Sequence, residues 1–154
     1  MSGTYRFTAV SDLAASREIV WDHVSTPDGV NSEFFPFLRM TWPPGLEKLS
    51  PETVPLGRRL CRSWILLFGL IPVDYDDIVL AEVEPGHGFL ETSTMLTQRL
   101  WRHERIVEDL PGGGCRVRDN LEFEPRAAWA GRLQLPMFRA VFAYRHHRLR
   151  TMFG

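Results

Sequence analysis

The stretch from Leu133 to Phe153 carries side chains that recur at spacings of three and four: Phe138, Val141, Phe142, Arg145, Leu149 and Met152. That spacing marks one face of an α-helix, and Pro136 suits its first turn, where a missing N–H costs nothing. About 18 to 20 residues at 1.5 Å each make a rod of roughly 30 Å, long enough to cross a small domain. Whatever else the chain forms has to bury this apolar face. Arg145 is the odd member of the stripe. Either it lies at the edge of the face, or it reaches a buried polar partner.

A chain of 154 residues fits one domain, residues 1–154, and at this size about 70% of the unfolded surface is buried, enough for a substantial core. Eighteen basic against nineteen acidic residues leave a net charge of -1, so bulk electrostatics offer nothing to nucleic acid. Arg139, Arg145, Arg148 and Arg150, with His146 and His147, read as a solvated face that complements the negative end of the helix dipole. Cys61 and Cys115 stand far apart without a ligand pattern and read as small buried residues in a reducing compartment. Met1 to Phe7 lacks the basic-then-apolar order of a signal segment. The longest apolar run, Trp64 to Val73, is broken by Gly69 and Pro72 and is about half of a membrane span. A cytoplasmic protein without an integral membrane segment is the expectation.

Tyr5, Phe7 and Ala9 alternate with Arg6 and Thr8 as a half-buried strand. Ser16 caps a short helix with Ile19, Val20 and Val24 on its inner face. Thr26-Pro27-Asp28 starts a second short helix, weakened by Gly29 and ending near Pro36. Leu38, Met40 and Trp42 form a brief strand, and Gly45 to Gly57 a loop. Long strands follow from Arg58. Leu60, Trp64, Leu66 and Phe68 are placed on one face, and Val73, Tyr75, Val79, Ala81 and Val83 on the apolar face of the next strand. Phe89 to Leu96, Leu100 to Asp109 and Cys115 to Glu124 complete the set, the last two joined by Pro111-Gly112-Gly113-Gly114. Consecutive strands with short turns make an antiparallel meander, and the long helix is its natural cover. The fold class is α+β.

Chemistry concentrates in the last two strands. Asp119 lies amid Cys115, Val117, Leu121 and Phe123 on an apolar face, and a regular hairpin brings Trp101, His103 and Arg105 to the same side. Unpaired charges there would be costly. These groups therefore form either a polar patch inside a ligand cavity or a self-satisfied network of Asp119 with Arg105, His103 or Arg145. Elsewhere the chemical signals are weak. The glycine run leads into a strand and lacks the context of a phosphate loop. His146 and His147 diverge by about 100° and cannot hold one metal. Asp74, Asp76 and Asp77 read as a strand's solvent face, with Asp77 breaking the apolar pattern. No metal and no cofactor is expected.

The layout and several segments resemble the START-like, or SRPBCC, helix-grip superfamily, which includes polyketide cyclase/dehydrase and pollen-allergen-like proteins. The resemblance runs through Phe7 to Trp21, Pro55-Leu56-Gly57, Pro85 to Phe89 with Glu91, and Trp101-x-His103-x-Arg105. It continues in Asp119-x-Leu121-x-Phe123-Glu124-Pro125 and in Tyr144-Arg145-His146 within the helix from Phe142 to Leu149. A branch of uncharacterised members has similar Trp-x-His and Tyr-Arg pairs; here Glu91 replaces its first acid and Gln98-Arg99-Leu100 its Gly-Pro-aromatic approach. The resemblance implies a seven-stranded antiparallel sheet curled around the C-terminal helix, two short helices after the first strand, and an enclosed apolar cavity.

Three readings follow. In the first, the cavity binds a hydrophobic small molecule, lipid- or polyketide-like. Its ligand-binding residues would be Trp64, Leu66, Tyr75, Trp101 and Phe142, with Glu91, His103, Arg105, Asp119 and Arg145 at the polar end. In the second, the protein is a polyketide cyclase or dehydratase in which His103 is the acid/base and Asp119 orients it. In the third, it is a partner-binding domain with no small ligand. Asp119 or Glu91 is the candidate partner of Arg145.

Overall fold

The computed structural model describes residues 3–154. The reading of the N-terminus as lacking a signal segment takes in Met1 and Ser2, which lie outside the described residues. The chain runs β1 (Tyr5–Leu13), α1 (Arg17–Val24), α2 (Pro27–Phe34), β2 (Leu38–Met40), β3 (Arg59–Leu67), β4 (Ile71–Glu84), β5 (Gly88–Met95), β6 (Gln98–Asp109), β7 (Cys115–Pro125) and α3 (Gly131–Phe153). The strands form one seven-stranded sheet in the order β1-β7-β6-β5-β4-β3-β2, every pairing antiparallel. Strands β2 to β7 are a meander, and β1 returns to pair with the last of them. The two short helices fall where the chain crosses between the edges of the sheet, and α3 lies in its curl. This is the helix-grip architecture.

The local signals explain the helix starts. The Ser16 side chain accepts the Ile19 N–H, and Thr26 Oγ1 accepts the Gly29 N–H at 2.9 Å, with Pro27 at the first helical position. Gly29, a weak residue for a helix, has a reason to be there. A Cβ at that position would overlap the His23 carbonyl oxygen, so glycine lets α2 pack onto the end of α1. In α1, Val20 and Val24 are buried as expected, whereas Ile19 is exposed.

The final helix begins earlier than its proline suggested. A short 3₁₀ turn, Ala128–Ala130, leads into α3 at Gly131, which puts Pro136 in the second turn. Its ring forgoes the bond to the Arg132 carbonyl on an exposed side of the helix, where water can take the acceptor. The inner face is the expected one: Phe138, Phe142, Arg145 and Leu149 are buried. His146 is buried with them, against the expectation of a solvated face.

Two apolar clusters flank the interior. One joins α1, α2 and the C-terminal turns of α3 through Val20, Trp21, Val24, Val30, Phe34 and Leu149, with Val107, Cys115 and Val117 from the sheet. The other is aromatic: Phe7, Trp101, Phe123, Phe138 and Phe142. Its rings meet at centroid distances of 4.9 Å for Trp101–Phe138 and Phe123–Phe138, within the usual range for favourable aromatic pairs.

Candidate functional site

Strand β6 alternates cleanly, with Trp101, His103, Arg105 and Val107 inward, and β7 does the same with Val117, Asp119, Leu121 and Phe123. The hairpin turn at Gly112 to Gly114, all at positive φ, sets a register that puts Arg105 opposite Asp119. The two side chains form a bidentate pair: Arg105 Nε donates to Asp119 Oδ1 at 2.7 Å and Nη2 to Oδ2 at 2.8 Å. The other edge of the same guanidinium donates to Glu33 of α2, Nη1 to Oε2 and Nη2 to Oε1, both at 2.8 Å. Arg145 of α3 adds its Nε to Glu33 Oε1 at 3.1 Å and lies over the rings of Phe34 and Phe142. Two carboxylates and two guanidiniums thus neutralise one another where Glu33, Arg105 and Asp119 are each no more than 1% exposed. The odd member of the helical stripe reaches inward, to Glu33, and not to Asp119 or Glu91.

Two histidines complete the group. His103 Nε2 lies 2.7 Å from Asp119 Oδ1 and His146 Nε2 2.7 Å from Oδ2. An ionised carboxylate only accepts, so both rings carry a proton on Nε2. His146 Nδ1 meets Ser11 Oγ at 2.7 Å, and Arg150 donates to that hydroxyl at 2.9 Å. Burial works against the charge on Asp119, but Arg105 and His103 outweigh it and hold the carboxyl well below its usual range. Glu33 is held low in the same way, burial being overcome by Arg105 and Arg145. Burial pushes His103 down, and the Asp119 charge only partly offsets it. At neutral pH His103 is therefore uncharged, with a free Nδ1 lone pair.

Beside this network lies an interior space of about 800 Å³. Trp101, Phe142, Phe138, Phe89, Met95 and Ile78 are among its apolar walls, and Glu91, His103, Arg145 and Asp76 are among its polar lining groups. The volume is in the range of small-molecule sites, which are mostly apolar with a few placed polar groups. His103 Nδ1 lies 4.0 Å from Glu91 Oε1 on this side. Glu91 accepts the Ser93 hydroxyl at 2.7 Å. Burial, and then the neighbouring Glu91 carboxyl, raise Asp76 well above the usual carboxylate range.

Of the candidate residues, Glu91, Trp101, His103, Phe142 and Arg145 line this space, while Arg105 and Asp119 sit behind its wall. Trp64, Leu66 and Tyr75 do not line it. Trp64 pairs across to Tyr75 on the outer face, where the rings meet edge to face and Arg62 covers Tyr75. Ser63, Ile65 and Leu67 of β3, with Asp76, Ile78 and Leu80 of β4, face inward instead. The reading of Asp74 and Asp76 as a solvent face is thus reversed: Asp76 is 3% exposed and lines the space. Asp77, expected to interrupt an inner face, is on the outer one and holds Arg62 at 2.9 and 3.1 Å. Both faces of β3 are apolar enough to be inner, and irregular pairings at Arg59/Cys61, Ile65/Leu66 and Leu80/Glu82 break the alternation that would have decided.

Glu33 and His146 belong to the buried network and Asp76 to the lining, yet none of the three is among the expected site residues: sequence alone puts Asp76 and His146 on solvated faces. Glu33 had a signal available, as the only acid in the second half of α2, between Ser32 and Phe34. His146 had one too, three residues before Leu149 and four after Phe142. Among the described residues, no group of three or more His, Cys, Asp or Glu side chains is arranged to hold a metal ion. Both cysteines are free. No helix among these residues is long and apolar enough to cross a membrane.

Residues 11–153 match the model of a family described as "Domain of unknown function (DUF8410)". No curated protein matches the chain. Among solved structures, protein CV1439 from Chromobacterium violaceum superimposes with a TM-score of 0.70 at 14% identity, covering 96% of each chain. A START superfamily protein from Mycobacterium smegmatis gives 0.62 at 8% identity, over 97% of this chain and 99% of that one. The ZhuI aromatase/cyclase from Streptomyces sp. R1128 gives 0.61 at 11% identity, over 97% and 93%. At these identities the likeness is one of fold. The fold is that of the START-like superfamily.

Proposed function

This chain belongs to the DUF8410 family, and we propose that it binds an apolar small molecule in the space between sheet and α3. The observation that carries the reading is that space itself, about 800 Å³ with aromatic and aliphatic walls and a few polar groups. Burying an alkyl or aryl body there is favourable at about 25 cal/mol per Å² of apolar surface. His103 and Arg145 supply polar contacts held in place by Asp119 and Glu33. Native mass spectrometry of the purified protein, before and after incubation with alkyl and aryl probes, tests the reading. Retention of a homogeneous apolar ligand, or stoichiometric uptake of a probe, is expected. A chain that carries none and takes up none refutes it.

A second reading, a cyclase or dehydratase acting on a polyketide-like substrate, is favoured by one feature. His103 lines the space, neutral and with its Nε2 proton fixed on Asp119, so that Nδ1 is available as a base beside Glu91. The likeness to an aromatase/cyclase fold is consistent with it. Full turnover by a His103→Gln variant on a poly-β-keto substrate would remove that role.

A further inference from the structure

Asp76 has a bare oxygen. Its side chain is 3% exposed and lines the interior space, yet Oδ1 has no hydrogen-bond partner among the described residues. The neighbouring carboxyl of Glu91 is satisfied from one side by Ser93. Among the described residues, no cation stands ready for either acid. Arg105 lies on Glu33 and Asp119, Arg145 donates to Glu33, and the Nε2–H of His103 donates to Asp119. The remaining acid on this lining, Asp74, accepts Thr97 Oγ1 at 2.6 Å. The buried network is balanced in charge, whereas this spot is acidic only. A buried acid without a counter-charge is stable only by holding a proton or by meeting a cation.

We propose that Asp76 and Glu91 form a cation subsite, which selects amphipathic ligands carrying a protonated amine. A primary ammonium brings a positive charge and three N–H donors. One reaches the unpartnered Asp76 Oδ1 and another a Glu91 oxygen, while the apolar body lies along Trp101 and Phe142. As the ammonium enters, the proton held on Asp76 leaves to solvent, so the acid is charged only when the cation is present. A hydroxyl in the same place offers one donor and no charge. A ligand carboxylate is repelled. The subsite rests on the apolar-ligand reading above, and it deepens that reading by naming the ligand's head.

Decylamine, decan-1-ol and decanoate, equal in chain length and different in head group, form the test. Binding is followed at neutral pH by calorimetry and by emission from the tryptophans. Decylamine should bind at least about tenfold more tightly than decanol, the value of one hydrogen bond to a charged group, and decanoate more weakly than either. In Asp76→Asn the advantage of the amine should fall below about threefold while decanol binding is kept. Should that variant fold poorly, Glu91→Gln gives the same comparison, and the wild-type series stands alone in any case. Equal binding of amine and alcohol by the wild type overturns the cation subsite and leaves the cavity reading intact. Failure of all three probes to bind overturns both.

Discussion

Removing the charge of Glu33 is the sharpest perturbation the buried network offers. Its carboxylate accepts from Arg105 twice at 2.8 Å and from Arg145 at 3.1 Å, with no exposure to solvent. In Glu33→Gln the size is kept, but two guanidiniums then face Asp119 alone, and the amide nitrogen points at donors. Breaking a buried ion pair by removing one partner costs about 3–5 kcal/mol, because an uncompensated charge stays behind. For a domain of this length, 1 kcal/mol moves the melting midpoint by about 2–4 °C. The midpoint should therefore fall by roughly 6–20 °C.

Denaturant unfolding measures the loss directly, provided the slope m is unchanged. The double variant Glu33→Gln/Arg145→Met gives the internal control. Deleting the cation as well restores the charge balance, so the double variant should be more stable than the sum of the single losses predicts. A Glu33→Gln loss below about 1 kcal/mol with unchanged m, or strict additivity in the cycle, refutes the account of a charge-balanced interior.

Arg145→Met should lower stability by about 2–3 kcal/mol, or weaken ligand binding, whereas Arg148→Met, which gives up a bond to the Ser32 carbonyl, does little; equal, negligible effects in melting and binding assays would contradict the inward role of Arg145. His103 is held below its ordinary value mainly by burial, so the folded state binds fewer protons than the unfolded chain below about pH 6.5. Stability should fall as pH drops through that value, and fall further below about pH 4, where the unfolded chain's carboxyls take up protons that the folded Asp119 and Glu33 do not; in an Asp76→Asn background, which lacks an opposing titration, a melting midpoint flat from pH 7 to 4 would contradict this. Asp76 has the opposite sign: raised by burial and by Glu91, it weakens the fold as pH rises past about 4. The midpoint of Asp76→Asn relative to wild type should rise between pH 5 and 8, measured by calorimetry without ligand. Trp101→Ala should abolish uptake of an apolar probe, and Trp64→Ala, on the outer face, should leave it unchanged in the same titration.

The fold was readable because its determinants are local. Caps at Ser16 and Thr26, a three-glycine hairpin and clean alternation in β6 and β7 each dictate one element or one register. The helical stripe named the inner face of α3 and flagged Arg145 as its anomaly. The site was readable only where a strand kept its period of two. That holds for His103, Arg105 and Asp119. On β3 and β4, bulges and two comparably apolar faces removed the signal, and the bulkiest side chains, Trp64 and Tyr75, went outward to meet Arg62. Glu33 was hidden for another reason. Its pairing with Arg105 spans 72 residues and depends on how α2 docks against the sheet, which the close approach of Gly29 to His23 makes possible.

The network and the cavity are not alternatives, and the acceptor count of one residue shows how they divide. A carboxylate offers about four lone-pair sites, and Asp119 receives four donors: Arg105 Nε and His103 on Oδ1, Arg105 Nη2 and His146 on Oδ2. It has nothing left for a ligand. Arg105 is committed nearly as fully, donating twice to Asp119 and twice to Glu33 with four of its five N–H groups. These residues therefore act on any ligand only through what they hold, the His103 ring and the Arg145 head, which do line the space. A saturated anchor behind a partly free surface is what preorganisation requires, since side chains fixed before binding lose no freedom when it occurs. The order of effects follows from that division. Changes at Asp119 or Glu33 must first appear as lost stability, whereas changes at His103, Asp76 or Glu91 can appear in binding without it.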